Sequence, residues 1–258
     1  MRTMAAALLL GLAPLAAVTG QATPDPTCDG TNWRPECSTP GTSLALTEAM
    51  RQRVQRDVIV GYYVTAKGVP EGKIYGVWHA PVNGDPFLLM TGFTPDSGGT
   101  VVCGDSTSVA PAARQGARLG WCKRPLADVG FTVGQFVRGE PYRLALISTD
   151  DSVRVYGEII PHPLEATNGA CRITAEMGAS GVYVLRGSGF RPGEPVESRS
   201  RSGGTQETTL AADSAGNVGI VAVVAVPGKK GGDASQEFRG AACRVKLEYG
   251  WGDRALRP

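Results

Sequence analysis

Two short stretches carry serine in the setting that nucleophilic catalysis uses: "PDSGG" at 95–99 and "GDSTS" at 104–108. A serine hydroxyl attacks only when a histidine takes its proton and a carboxylate orients that histidine. The chain has two histidines, His79 and His162, and the one upstream of both motifs, His79, stands only 18 residues before Ser97. That leaves no room for the fold that must bring such a triad together. Asp150 and Asp151 in "STDDS" are the obvious pair of carboxylates for glycoside hydrolysis, yet they sit between "YRLALIS" and "VRVYGEII", where a polar hairpin loop is expected. In "RGSGFRPGE" at 186–194, Gly187, Gly189 and Gly193 have the look of a loop that cradles phosphate. Such a loop must open a helix whose first amides face the phosphate, whereas "EPVESRSRSGG" has Pro195, no helical apolar stripe and two closing glycines. No G-x-S-x-G, H-E-x-x-H or P-loop occurs. The expectation is no catalytic residue and no cofactor, with an envelope hydrolase or hydrolase inhibitor as the alternative.

The cysteines are the next candidates. There are six, with no C-x-x-C and neither histidine at zinc-ligand spacing from any of them, so no metal site is expected. Pairing neighbours in sequence gives disulfides Cys28–Cys37, Cys103–Cys122 and Cys171–Cys243 as the simplest connectivity. This agrees with export. "MRTMAAALLLGLAPLAAVTGQA" sets Arg2 before an apolar run broken only by Gly11 and Pro14, with small residues around Gly20 and Ala22. That is the order of a signal peptide, expected at 1–22, and its apolar run falls short of the ~20 residues a spanning helix needs. A mature chain beginning near Thr23, secreted or periplasmic and without a membrane span, follows.

The elements that must position any site are strands. The 258 residues include 35 Gly and 18 Pro, which punctuate the chain throughout, while 42% hydrophobic content suffices for real cores. The formal net charge of +2 gives no basic excess for a nucleic-acid partner. Arg199 and Arg201 stand beside Glu194 and Glu197 and read as a solvated strand face. In "SVRVYGEII", Val153, Val155 and Ile159 alternate with Ser152, Arg154 and Glu158; in "CRVKLEY", Cys243, Val245, Leu247 and Tyr249 alternate with Arg244, Lys246 and Glu248. Both patterns predict half-buried strands. "ADSAGN" at 212–217 predicts a hairpin turn, with Asp213 and Asn217 at the bend and Gly216 free to take positive φ. Before Asp57, "PDPTCDGTNWRPECSTPGTS" reads as an exposed arm, and "LTEAMRQRVQR" predicts a short helix with Thr47 as cap and Leu46, Met50 and Val54 on one stripe.

A repeat explains the glycines. "GYYVTAKGVPEGK" at 61–73 matches "GVYVLRGSGFRPGE" at 181–194: Gly-x-Tyr-Val, then Gly and an apolar residue, then Pro, Gly and a charge. Each copy opens a series of strands that closes with an alternating one, so two similar domains in tandem are expected. The phosphate-loop spacing is missing from the first copy while the strand, turn and strand order is present in both. The glycines therefore belong to a turn, in which Phe190 points into the core and Pro192 fixes φ.

"YVLRGSGFRPGEPV", then "ADSAGNV", then strands broken by "AVPGKKGG", resembles the bacterial immunoglobulin-like and fibronectin-III-like β-sandwich domains, and "AKGVPEGKIYGVW" is similar to the strand, turn and strand of the same group. The resemblance implies an all-β chain of two tandem immunoglobulin-like sandwiches, at 57–163 and 164–258, after an N-terminal arm at 23–56. It also implies a spacer or binding module, whose partner would be an envelope or extracellular protein or a glycan. Of the tryptophans that could stack on a sugar, Trp33 lies inside the Cys28–Cys37 loop and Trp121 adjoins Cys122. Trp251 in "YGWGD" is the best placed of the three to be exposed and to form a binding surface with Tyr249 beside it, although a structural role is the favoured reading even there.

Overall fold

In the computed structural model the structure describes residue 28 and residues 33–54, 57–97, 99–103, 118–119, 125–128, 130–133 and 137–255. Among these there is no α-helix, and no helix long and apolar enough to cross a membrane. The chain is nearly all β. In the first part, β1 (Ser43–Val54), β2 (Asp57–Lys67) and β7 (Gly130–Val133) form one sheet in the order β1-β2-β7. The second sheet runs β5-β4-β3-β8-β9 and comprises β3 (Tyr75–Ala80), β4 (Phe87–Pro95), β5 (Val101–Cys103), β8 (Tyr142–Ser148) and β9 (Arg154–Ile159). The short β6 (Arg118–Leu119) lies parallel to β4. After these, β10 (Leu164–Asn168), β11 (Cys171–Ala179), β12 (Val182–Ser188) and β15 (Val218–Val223) make a sheet in the order β10-β11-β12-β15. The strands β13 (Pro195–Arg201), β14 (Thr205–Ala211), β16 (Gly231–Arg239) and β17 (Arg244–Gly252) make another in the order β14-β13-β16-β17.

Set aside β5, β6 and β10, and the two series are the same. In each, the first, second and fifth strands share one sheet, and the fourth, third, sixth and seventh the other. The likeness reaches single residues. The first pair of strands carries a register shift at the same place in both, Glu48/Met50 and Met177/Ala179. The second strand then ends in a left-handed glycine, Gly68 (φ 68°) or Gly189 (φ 90°). A Cβ on either would stand 2.1 Å from a carbonyl oxygen, that of Gly41 or Ala170, so only glycine fits. The next residue, Val69 or Phe190, is buried, and the chain enters the opposite sheet.

The geometry corrects the sequence alignment by one position. Counting back from these glycines, Tyr183 matches Tyr62; both are 0% exposed, whereas Tyr63 is 47% exposed. A one-residue slip turns every side chain to the other face of a strand, and a motif match cannot sense which face is wet. Burial pushes both phenols up to about 12.

Other expectations change too. The segment predicted as a helix is β1. It pairs with β2 from Ser43↔Lys67 to Val54↔Asp57, so the backbone groups a helix would satisfy internally are met across the ladder instead. The first repeat thus begins at β1, ahead of Asp57. The link at 212–217 has the foreseen bend, with the Ala215 and Asn217 amides donating to Asp213 Oδ1 at 2.8 Å each and Gly216 at φ 76°. It is no hairpin, however, because β14 and β15 lie in different sheets. The arm is not simply exposed: Trp33 is buried against Tyr156 (5.5 Å between rings), while the Arg154 amide donates to Thr39 Oγ1 and the Tyr156 amide to Ser38 Oγ.

The disulfides Cys28–Cys37 and Cys171–Cys243 are present, with Cα separations of 5.2 and 6.1 Å. Cys171 opens β11 rather than the first strand of its half, because β10 precedes it. The Cys103–Cys122 pairing lies outside the described residues. Each repeat closes its own core: one cluster holds Tyr62, Tyr75, Phe93, Leu144 and Val155, another Ile173, Tyr183, Phe238, Leu247 and Trp251.

The close approach at the sheet crossing is testable. Gly193 is also left-handed (φ 74°), but a Cβ there meets nothing within 4 Å. Gly193→Ala should cost about 1 kcal/mol in urea denaturation, and Gly189→Ala or Gly68→Ala at least about 3 kcal/mol, since backbone must move as well. Equal costs at 189 and 193 would refute the constraint.

Candidate functional site

The groups with chemical potential in the sequence are built into the scaffold. Asp150 accepts from Lys73 Nζ (2.5 Å), Ser148 Oγ (2.6 Å) and Ser152 Oγ (2.8 Å). Those bonds, the lysine's first, hold its carboxyl well below the usual range. Asp151, left-handed at φ 60°, is lowered by its bond to Arg154. A general acid for glycoside hydrolysis needs a raised pKa, so this pair locks the β8–β9 turn. "PDSGG" is the β4–β5 turn, with the Gly99 amide bonded to the Asp96 carbonyl and the Thr100 amide to Asp96 Oδ1. "GDSTS" lies outside the described residues, as does Trp121.

His79 lies tilted against Tyr142 (4.7 Å) and edge-to-face with Phe87 (5.3 Å), and donates from Nδ1 to the Arg143 carbonyl (3.0 Å); burial lowers its pKa. His162 accepts at Nδ1 from Arg51 (3.2 Å), which also donates to the Pro161 carbonyl (2.8 Å) and both Glu48 oxygens. Burial first, then Arg51 and Arg138, lower its pKa. Arg51 thereby ties β1 to the segment joining the repeats.

Trp251 and Tyr249 do not form an exposed surface: each is only 5% exposed, inside the second core, and Tyr249 reaches the base of a groove between β14 and β15. The alternation of Val245 and Leu247 continues through both, so they share the inward face. Gly252 (φ 57°) then folds 253–255 back, burying Ala255. The parity of the strand decides which way both rings face.

A feature that sequence reasoning missed lies at the open edge of the second repeat. Between β14 and β15, the edge strands of the facing sheets, runs a groove of about 410 Å³. Its floor includes Ser198 and Ser200 of β13, one wall Gln206 and Thr208 of β14, and the other Ile220, Ala222 and Val224 of β15. Gln236 beneath is 0% exposed. Its amide donates to Ser198 Oγ (2.8 Å) and to the Glu237 carbonyl (3.1 Å), and its oxygen accepts the Ser200 hydroxyl. Buried polar groups are tolerated only when bonded in this way.

The first repeat shows what is unusual here. From the strand registers, Ser198 and Gln236 correspond to Val77 and Leu144, which are core apolar residues. The edge of β4 is covered by β5 and β6, with Val101 and Leu126 plugging the core beside them. The covering chain is an insertion: β4 and β7 are separated by residues 96–129, while β14 and β15 are separated by 212–217. The unbroken polar run in "TQETTLA", exposed at every position except Leu210, was the available signal for an uncovered strand.

No family model matches this sequence, and no curated protein does. A solved structure bearing on host cell surface retention of a 1.5-MDa bacterial ice-binding adhesin is similar at 10% identity over 83% of this chain, with a TM-score of 0.20. The chain spans 65% of that chain's length. A score of that size carries no argument about this protein.

The Asp150 lock predicts a pH dependence. Its pKa is depressed on folding, so the stabilisation is complete above the unfolded-state value, about 3.9, and is lost as pH falls through the folded-state value. Asp150→Asn should lower the melting temperature at pH 7, and the gap to wild type should close in increasingly acid buffer. A gap that widened in acid would refute the assignment.

Proposed function

We propose that the chain is an exported, non-enzymatic binding or structural module of the cell envelope or its surroundings, built of two tandem immunoglobulin-like β-sandwich domains. The first begins at β1 and the second occupies 164–258. The observation that carries this reading is the duplication. Seven antiparallel strands, split three and four between two facing sheets around one core, are the make-up of that sandwich group. Here the same order occurs twice, down to the bulge and the crossing glycine.

A spacer or presenter must hold its domains in a fixed relation, and the junction supports this. Glu176, largely buried, accepts from Arg34 (3.4 Å), Arg143 (3.2 Å) and Arg186 (3.2 Å), which come from the arm, the first repeat and the second. Arg143 also pairs with Glu158 at 2.6 Å. Backbone bonds run from Met177 to Gly139 and from Gly139 to His162, both at 2.8 Å, and the Ser180 amide donates to Asn83 Oδ1 at 3.0 Å. A polar network satisfied in this way favours one orientation of the two repeats. Two disulfides suit an oxidising compartment outside the cytosol, and the charged, apolar, small-residue order of the first 22 positions is the means of reaching it.

Sequencing the N-terminus of the protein recovered from the exported fraction tests the reading. Cleavage after Ala22, leaving Thr23 first, is expected. An intact Met1 in that fraction, or full retention in the cytoplasm, would overturn it.

A further inference from the structure

We propose that the open edge of the second repeat, β14 with the groove beside it, takes up an extended segment of a partner protein as an added antiparallel strand. This names the site and partner class for the binding module proposed above, and rests on that reading.

Four observations converge. Among the described strands β14 pairs only with β13, in a register without a shift from Pro195↔Ala211 to Arg201↔Thr205. Edge strands are ordinarily guarded by proline, charged side chains, a bulge or a covering element; "TQETTLA" holds no proline, lysine or bulge, and its single charge is Glu207. Second, space for side chains is already present, in the groove between Gln206 and Thr208 on one side and Ile220 and Ala222 on the other. Third, the first repeat shows what such an edge accepts, because β4 takes β5 in antiparallel register from Phe93↔Cys103 to Pro95↔Val101. The second repeat makes the turn at 212–217 directly and leaves the place open. Fourth, the charges on the outer face alternate toward the edge.

That alternation sets the partner's chemistry. Across the sheet from β17 to β14, one row reads Lys246, Glu237, Arg199, Glu207, with Arg199 Nε 2.7 Å from Glu207 Oε1. Glu207 ends the row with its side chain 62% exposed. The next strand completes the row with a lysine or arginine opposite Glu207, since directly opposed unlike charges stabilise a sheet and like charges do the reverse. Its alternate residues enter the groove and must be small or β-branched, such as threonine or valine. Main-chain bonds to β14 supply affinity and the side-chain pattern supplies selectivity.

The test uses the mature protein and a synthetic heptapeptide, acetyl-Thr-Val-Lys-Val-Thr-Val-Thr-amide, followed by amide NMR. Expected are shifts confined to β14 and β15, and binding about fivefold tighter than for the same peptide with Glu in place of Lys. Glu207→Lys should reverse that preference. A strand pairs along one edge through every second residue, so N-methylation of alternate amides should abolish binding in one phase and spare it in the other.

Shifts elsewhere, no shifts at millimolar peptide, or equal loss in both methylated phases would overturn the proposal. So would a protein dimer in sedimentation that the peptide dissociates, which would put a second copy on the edge. Failed binding by a protein whose N-terminus is Thr23 would count against the edge alone, whereas an uncleaved Met1 would count against the module reading alone.

Discussion

Everything in this chain follows from the place where it must leave one sheet and enter the other. The second strand of each repeat is followed by a glycine pressed onto the carbonyl of a residue just ahead of the strand it pairs with, Gly41 before β1 or Ala170 before β11. Only a residue without a Cβ can be there, and only a left-handed φ sends the chain across the core instead of back along the same sheet. Val69 or Phe190 then fills the gap between the layers, so crossing and core closure are one event. Because the chain crosses after two strands, the third and fourth belong to the opposite sheet, and the fifth must return to lie beside the second.

The same order supports two opposite surfaces. In the first repeat, the outer row across β4, β3, β8 and β9 is Leu88, Trp78, Ala145 and Tyr156. In the second, the corresponding row is Glu207, Arg199, Glu237 and Lys246. An apolar row on an outer face has to be covered, and the arm does so: Trp33 and Cys37 pack on Ala145, Tyr156 and Trp78. A row of alternating charge satisfies itself in water. The arm's position is thus dictated by residues far from it in sequence, and the second repeat has no comparable need.

Strand type was legible because alternation and turn chemistry are local. Val153 through Glu158 and Val245 through Tyr249 declare their faces, and Asp213, Asn217 and Gly216 declare their bend. What was not legible required knowledge of partners. "LTEAMRQRVQR" satisfies a helical stripe about as well as a strand, and pairing with β2 decides it. The turn at 212–217 looks the same whether the strands it joins are paired or stacked. Trp251 sits among glycines in "YGWGD", where alternation gives way, yet it continues the inward face of β17. The groove was invisible because it depends on a comparison: Ser198 and Gln236 are unremarkable until Val77 and Leu144 stand at the matching positions.

That substitution bears on how the second repeat remains stable with a polar floor at its open edge. Replacing large buried apolar side chains by smaller or polar ones typically costs about 2–5 kcal/mol each in a closed core. The hydrogen bonds among Gln236, Ser198 and Ser200 recover part of this. The remainder has a counterpart in the same domain. Cys171 and Cys243 stand where the first repeat has Thr42 and Val153, and their bond joins the start of β11 to the start of β17. A cross-link across 72 positions restricts the unfolded chain by on the order of 4 kcal/mol in the entropy model. The first repeat closes its edge with the inserted chain and keeps Val77, Leu144 and Val153 in its core. The second leaves the edge open and adds the covalent tie at the opposite end of the strands. An uncovered strand beside a hydrogen-bonded floor is tolerable in a small repeat in which β11 is already tied to the start of β17.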